Sequence, residues 1–563
     1  MIGGTGKLLR HYRHWRRYRE IINVLVKEGL SFLVERLGLP GLPLYRRIGK
    51  VAGTGREDLS NLPQKLVRVM SELGPTYVKL GQLLSTRSDL LPEEYIREFS
   101  KLQDKADAIP YEEVERVILN ELGKPVGEIF DWFDRRVSAA ASIGQVHRAR
   151  LRSGQDVVVK VQRPGIEESI RVDLEILEEI GRIIEQRTRL GERYRISEII
   201  EEFSSAILDE LDFTLEGRNA DIFRKNFKDD PTVYIPKVYW NYTTKKVLVM
   251  EYVAGCKLTS RKELRERGFN PSEISRRLVD AMLKQIYFDG FFHSDPHPGN
   301  LAVLPGDRVV FMDFGQVGQI DEEIRERAAD LVIALVKHDI DGIIKGLLKI
   351  GVIQDQPNLS RLRKDLSRLE KKYYRLPFGE INVGTSIKEL MDVAGRHQIQ
   401  FPSELVLAAK ALITLEAVIR ELAPDMSLVE IAEPFASRVI LKRYHPSSIK
   451  RHLTENFAKT LAAAAKLPFL AESIAEKINL GQISLRVDNK EFLMLIKALQ
   501  RSINRLSLSI AFGSILIVGA MLVSINPHSV FLRHHFSDIL FVFGLISSLL
   551  IPILLAISSK RSN

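Results

Sequence analysis

Cysteine is nearly absent. Cys256 stands alone among 563 residues, so no disulfide closes within the chain, and the composition fits a reducing compartment. The N-terminus lacks the apolar segment that a secretory signal needs. Zinc-finger spacing, an aromatic RNA-binding signature and a helix-turn-helix pattern are also missing, so the formal charge of +10 is assigned to no nucleic-acid partner. Acidic residues are missing from positions 5–20 before Glu20. That Arg-rich stretch carries Tyr12, Trp15 and Tyr18, which suits an anionic lipid surface or an organelle transit peptide. Charge of either sign is missing from Leu506–Ile525 and Ile539–Ile557. Each stretch is long enough to cross the hydrocarbon core as a helix. Lys497, Arg501 and Arg505 precede the first, and Lys560 and Arg561 follow the second. The positive-inside rule therefore expects a two-pass membrane protein with everything upstream on the cytoplasmic side, of the inner membrane if the source is bacterial.

What is present centres on residues 293–315, HSDPHPGN followed by an apolar run and MDFG. Asn300 lies five residues after Asp295, and Asp313 thirteen after Asn300. In the phosphoryl-transfer template an Asp at the first position accepts the acceptor's proton, while the Asn and the second Asp hold Mg²⁺. The intervening LAVLPGDRVVFMD predicts a β-hairpin turning at Pro305–Gly306–Asp307. Such a hairpin brings Asn300 and Asp313 to one end.

The rest of a nucleotide site is sought upstream. Residues 137–161 predict strand, turn and strand, and Asp156–Val161 ends near Lys160 as a phosphate-orienting strand would. The segment before it, Ala139, Ala140, Ala141, Ser142, Ile143, Gly144, Gln145 and Val146, takes the place of the phosphate-covering loop. Where that template carries three glycines this chain has Ala139, Ala141 and Gly144. Alanine is small but restricts the backbone, which predicts altered nucleotide selectivity. Residues 165–230 read as helical and contain Glu210, Asp212 and Glu216. Glu216 is the chosen partner of Lys160, with the other two acids left to a second basic group or a metal. Two β-rich runs, 231–240 and 245–253, lead to a crossover where the backbone of Glu251 and Val253 would meet adenine, and a helix is expected over 272–289. Earlier, Leu62–Leu102 reads as helices broken at Gly74-Pro75 and Leu91-Pro92. Gly81 within them predicts close approach by another segment.

Taken in order, KLGQ, AAASIGQVH, VVVKVQRPGI, ELDFTLE, HSDPHPGN and MDFG resemble the UbiB-type, aarF-domain-containing atypical kinase family over roughly residues 60–320. The resemblance implies an α+β, two-lobed protein-kinase-like fold using ATP or ADP with Mg²⁺, at a membrane, in support of isoprenoid quinone biosynthesis. Quinone precursors and quinone-biosynthesis proteins are then possible partners. By position it makes Lys160, Glu216 and Asp295 the catalytic group, and Asn300 and Asp313 the metal ligands. It also gives Lys79, Gly81 and Gln82 to a helical extension folded over the site near Glu210 and Asp212, blocking protein substrates. The expected organisation is a basic helical segment (1–60), the extension (61–125), an N-lobe with inserted helices (126–256), a helical C-lobe and connector (257–500) and a transmembrane hairpin (506–557).

Two departures from ordinary protein kinases agree with each other. HSD lacks the Arg of HRD, and after Asp313-Phe314-Gly315 the chain enters a helix within a few residues, without an APE element or phosphorylatable loop. Other readings remain open at this point: a small-molecule phosphotransferase of the aminoglycoside- or choline-kinase kind, and a nucleotide-gated lipid-binding scaffold.

Overall fold

Apolar residues at every second position of DVVVKVQ decide the upper part of the molecule. In the computed structural model, residues 3–37, 61–85, 91–102, 107–187, 196–258, 260–353, 357–374, 376 and 380–432 are described. They belong to one compact unit, Met1–His445.

The first helices are α1 (Gly3–Lys27), α2 (Ser31–Leu37), α3 (Leu62–Leu73), α4 (Pro75–Leu84) and α5 (Glu93–Phe99). Gly74, at φ 95°, separates α3 from α4, and Pro75 opens α4. That conformation costs glycine little, and proline suits a first helical turn. A Cβ at Gly81 would lie 2.2 Å from Leu102 Cδ1 and 2.7 Å from Met70 Sδ. The close approach read from the sequence is thus packing of α4 on its own neighbours.

Next come α6 (Tyr111–Leu122), α7 (Val126–Ile129), β1 (Phe130–Phe133), β2 (Ala139–Ala140), β3 (Gly144–Leu151) and β4 (Asp156–Gln162). After them run α8 (Ile166–Arg187), α9 (Ile196–Glu210), α10 (Phe213–Asn226), β5 (Val233–Tyr234) and β6 (Val247–Glu251). The upper sheet has the order β1-β3-β4-β6, with β2 paired to β3. Val157, Val159 and Val161 are fully buried in one cluster with Val247, Val249 and the α6 residues Val114 and Ile118. Successive strand side chains point to opposite faces, so Lys160 must emerge on the other side, toward α10. Each such buried valine stabilises the sheet by about 1.5–3 kcal/mol.

The run 231–240 departs from expectation. Only Val233–Tyr234 forms a strand, and it pairs in parallel with the lower sheet. Val238 makes an isolated bridge to Met250, and Trp240–Tyr242 turn as a 3₁₀ helix. Pro236 has no N–H to give a ladder, so the chain crosses between sheets there.

The lower part continues with β7 (Cys256–Lys257), α11 (Arg261–Glu266), α12 (Pro271–Leu283), β8 (Phe291–His293), β9 (Leu301–Leu304), β10 (Arg308–Phe311) and β11 (Val317–Gln319). The helix expected over 272–289 is α12 followed by a π-helical stretch, Lys284–Asp289. Strand order is β5-β10-β9-β7, and β8 pairs with β11. The predicted hairpin is present, turning through Gly306 and Asp307 at φ 80° and 57°. Helices α13 (Glu322–Val336), α14 (Ile340–Ile350), α15 (Leu359–Tyr373), α16 (Val383–Arg396) and α17 (Ser403–Leu422) complete it, with a small ladder of β12 (Val352–Ile353) and β13 (Ile399–Gln400). Asp339, Asn358 and Asn382 cap α14, α15 and α16 through side-chain oxygens. This mixture of sheets and helices is the expected α+β class.

Among the described residues no helix is long and apolar enough to cross a membrane. The two charge-free stretches expected to do so lie outside the described residues. The basic N-terminal helix is partly committed to the protein. Ile21 and Val24 are buried, Arg13 pairs with Glu168, and Arg17 reaches Asp173 at 2.6 Å. Trp15, Arg16 and Arg19 stay exposed.

Candidate active site

One face of α10 assembles the site. Glu216, Asn219 and Phe223 follow the i, i+3, i+7 spacing that shares a helical face. Glu216 Oε2 accepts from Lys160 Nζ at 2.7 Å. Asn219 Nδ2 donates to the Phe314 carbonyl at 3.0 Å. Phe223 packs on Phe314 with ring centroids 5.3 Å apart. Phe314 is fully buried, which fixes the neighbouring Asp313. The capping side chain of Asp212 starts this helix, its Oδ1 accepting from Thr214 N at 3.0 Å.

Charge converges around Gly315. A Cβ there would lie 3.2 Å from Asp313 Oδ1 and 3.8 Å from Glu216 Oε2. Burial opposes a charge on Lys160, but the Glu216 and Asp313 carboxylates outweigh it and hold the ammonium above its ordinary range. Burial likewise opposes the Asp313 carboxylate. Lys160 and the Gly315 N–H, 2.9 Å from Oδ1, overcome that and hold Asp313 below the usual carboxylate range. Glu216 goes the other way, pushed up by burial and by Asp313 against the pull of Lys160.

The loop at 293–300 is held by its own polar atoms. Asp295 N donates to His293 Nδ1 at 3.1 Å, and Asn300 Nδ2 donates to the Asp295 carbonyl at 3.2 Å. The first bond makes His293 Nδ1 an acceptor, and burial holds the ring's pKa below its ordinary value. Gln285 Oε1, in the π-helical stretch, accepts from His293 N at 3.0 Å. Met312 N donates to the Asn300 carbonyl at 3.0 Å, closing the hairpin end that carries Asn300 and Asp313. Lys410 Nζ, from α17, lies 3.9 Å from Asp295 Oδ2.

The alanine-rich segment is a tight hairpin. Ala139 and Ala140 pair with Val146 and Gln145, and Ala141 N donates to Gly144 O at 2.8 Å. Arg163 Nε donates to Ala141 O, and Arg163 N to Ile143 O, both at 2.9 Å, so the tip is tied to β4's end. Ser142 and Ile143 at the tip are buried, and Ser142 Oγ has no hydrogen-bond partner among the described residues. Gly144 is required by β4 itself, because a Cβ would meet Val161 O at 2.7 Å. The Gln145 side chain is committed to Ile109, accepting from its N at 2.8 Å and donating to its O at 3.3 Å. Val146 stands opposite Lys160 across the ladder.

At the crossover, Glu251 N donates to Lys237 O at 2.8 Å, and its carboxylate accepts from Tyr234 Oη at 2.6 Å. Val253 O accepts from Gly255 N at 2.8 Å. In the extension, Lys79 Nζ reaches Glu210 Oε1 at 2.5 Å. Gln82 is turned elsewhere, donating to Leu102 O at 3.2 Å, and Asp212 serves as the helix cap with Lys245 at 3.7 Å. Of the extension residues and the acids expected beside them, the structure brings Lys79 to Glu210, while Gly81 and Gln82 serve local packing and backbone and Asp212 caps α10. Sequence reading missed Asn219, Phe223, Gln285 and Lys410. The spacing within EGRNADIF carried a signal for the first two. Nothing near Asp295 in the sequence pointed to Lys410.

Residues 101–347 match the ABC1 atypical kinase-like domain, and residues 366–427 the UbiB helical domain. A protein of Marinobacter nauticus named probable protein kinase UbiB is 33% identical over 470 residues, covering 83% of this chain and 85% of its own. The chain belongs to the UbiB-type ABC1 atypical kinase-like family. This UbiB-family chain is also 36% identical over 424 residues to the chloroplastic Activity of bc1 complex kinase 7 of Arabidopsis thaliana, covering 74% of this chain and 61% of that one. A solved Mycobacterium tuberculosis protein, determined with erythromycin, aligns at TM-score 0.46 and 25% identity over 68% of this chain and 97% of its own.

Proposed function

We propose that this UbiB-family chain is a membrane-anchored, Mg²⁺-dependent ATP-binding atypical kinase or ATPase that supports isoprenoid quinone biosynthesis. The observation that carries the chemistry is Lys160 Nζ bonded to Glu216 Oε2 at 2.7 Å, with the Asp313 carboxylate beside the same group across Gly315. Among the described residues no cluster of three or more His, Cys, Asp or Glu forms a metal site by itself. Asn300 and Asp313 fit the sparse protein ligand set of Mg²⁺, which takes one or two carboxylates and leaves the rest to water and phosphate. Such an ion neutralises phosphate charge when bound. Ser142 Oγ, buried without a hydrogen-bond partner among the described residues, suits a site completed by another oxygen-rich group.

Each residue then has a task. Lys160 orients the phosphates, held rigid by Glu216. Asp295 accepts the proton of a water or hydroxyl oxygen as that oxygen bonds to the terminal phosphorus, the bond to the β-phosphate oxygen breaks and ADP leaves. Positioning and fixed charge supply most of the rate. The crossover at Glu251–Val253 would take the adenine. The α4 helix, pinned through Lys79, narrows access for a protein substrate. The stretches 506–525 and 539–557 would anchor the domain, so that an acceptor comes from the bilayer side. The quinone connection rests on the family resemblance.

Calorimetry with Mg·ATP and Mg·ADP tests the binding step, and turnover with and without anionic liposomes tests the chemistry. Uptake of both nucleotides, abolished in Asp313→Asn, is the expected outcome; no magnesium-dependent uptake by the intact wild type would end the reading. Lipid analysis of a deletion strain tests the quinone role, with normal quinone levels counting against it. The narrowed access favours one second reading, a nucleotide-gated scaffold. It gains if Asp295→Asn preserves function while Asp313→Asn destroys it.

A further inference from the structure

We propose that Lys410 is a positioning residue for the terminal phosphate of a nucleoside triphosphate, released from Asp295 when that phosphate arrives. The inference rests on the nucleotide-binding reading above.

HSDPHPGN contains neither Lys nor Arg, so the loop bearing the proposed base brings no permanent positive charge of its own. Lys410 comes instead from α17, within the matched helical domain and beyond the kinase-like one. Its backbone is fixed. Ala408 and Ala409 are buried, and Ala411 and Leu415 fully so, as α17 packs on α12, α16 and β11. The ammonium projects from that rigid helix toward Asp295.

Its pairing differs from those of the other two site lysines. Lys160 is 2.7 Å from a carboxylate only 6% exposed, and Lys79 is 2.5 Å from Glu210 while itself only 9% exposed. The Lys410–Asp295 pair is longer, 3.9 Å, with side chains 30% and 28% exposed. An open pair of this kind is weak, whereas a charge-assisted hydrogen bond to a phosphate oxygen is stronger. A terminal phosphate placed where Asp295 can take a proton sets two negative groups side by side. The ammonium relieves that repulsion by moving to phosphate oxygen, and the same move frees Asp295 to accept a proton. A diphosphate does not extend to Asp295 and leaves the pair closed. Lys410 thereby separates triphosphate from diphosphate and couples occupancy of the terminal position to exposure of the base.

Calorimetry on the full chain with Mg²⁺ tests this, using a non-hydrolysable ATP analogue and ADP as the probes. Lys410→Met should weaken the triphosphate analogue about tenfold, the loss of one charge-assisted hydrogen bond, with ADP affinity changed less than about twofold. Lys410→Arg should restore most of the loss. Lys410→Gln, which keeps a polar end without the charge, carries the same expectation as methionine and serves if Lys410→Met fails to fold. Equal weakening of both nucleotides, or unchanged affinity for both, would overturn the inference while leaving the nucleotide reading intact. Failure of the wild type to bind either would remove the nucleotide reading itself, and this inference with it.

Discussion

Two lysine–glutamate pairs close within one short segment, Lys160 with Glu216 and Lys79 with Glu210, and they are built in different ways. Lys160 is placed by a local rule: alternation along β4 buries Val157, Val159 and Val161 on one face, so the lysine has to occupy the other. Lys79 is placed by tertiary packing. Its helix α4 is pinned at the start by Thr76 Oγ1, which donates to the buried Asp173 at 2.7 Å, and along its length by Gly81 against Leu102 and Met70. Arg17 of α1 shares Asp173 and donates to Leu73 O at 2.5 Å. Neighbouring carboxylates thus receive one lysine from the sheet and one from an appended helix. The first pair is part of the chemistry proposed here, and the second ties helix α4 to the segment that carries Glu216.

The sharpest way to break that contrast is to remove each lysine. Lys160→Met should cut ATP turnover by about 100- to 1,000-fold, the range for losing one preorganised charge. It should also cost about 3–5 kcal/mol in denaturant unfolding, because Glu216 is left buried without its partner. Lys79→Met should cost less stability, since Glu210 is the more exposed of the two acids. Equal losses would show that the two pairs are not distinct. A second test addresses the packing that places Lys79. Gly81→Ala forces a Cβ against Leu102 and Met70 and should cost about 1–3 kcal/mol, with little change in nucleotide affinity, read by melting temperature and calorimetry.

Smaller effects are expected at the loop. Ala139→Gly or Ala141→Gly should shift the ATP-to-ADP preference by a factor of about three and lower stability by up to about 1 kcal/mol. Unchanged affinities in both variants would remove the account of that hairpin as a phosphate cover. The smallest effect concerns pH. The burial that lowers the His293 value makes its contribution to stability complete above the ordinary imidazole range near 6.5 and lost as pH falls. Asp313, also lowered, adds its own loss further down, below about 4. The melting temperature should therefore fall between pH 7 and 5, and His293→Asn should flatten that fall. An unchanged slope would place the acid sensitivity elsewhere.

Much of the site was legible because its parts are local. A five-residue spacing links Asp295 to Asn300, a hairpin with turn residues Pro305–Asp307 returns the chain to Asp313, and a period of two aims Lys160. The order of the motifs carried the family. Illegible parts depended on what neighbouring segments left free. Gln82 and Gln145 read as site residues but spend their side chains on the backbone of Leu102 and Ile109, and Asp212 caps a helix. Pro236 did carry a local warning, since a missing N–H ends a ladder, and the strand expected over 231–240 stops short of it.

Sequence alone determined the chemistry-bearing residue types, the hairpin that unites Asn300 with Asp313, and the face from which Lys160 projects, because each follows from backbone geometry over a few residues. Tertiary structure alone decided that Lys79 meets Glu210, that α10 locks Phe314 through Asn219, and that α17 sets Lys410 before Asp295. Those outcomes depend on side chains brought together across long loops by burial of apolar surface, which is non-directional and leaves no local periodicity naming the partner.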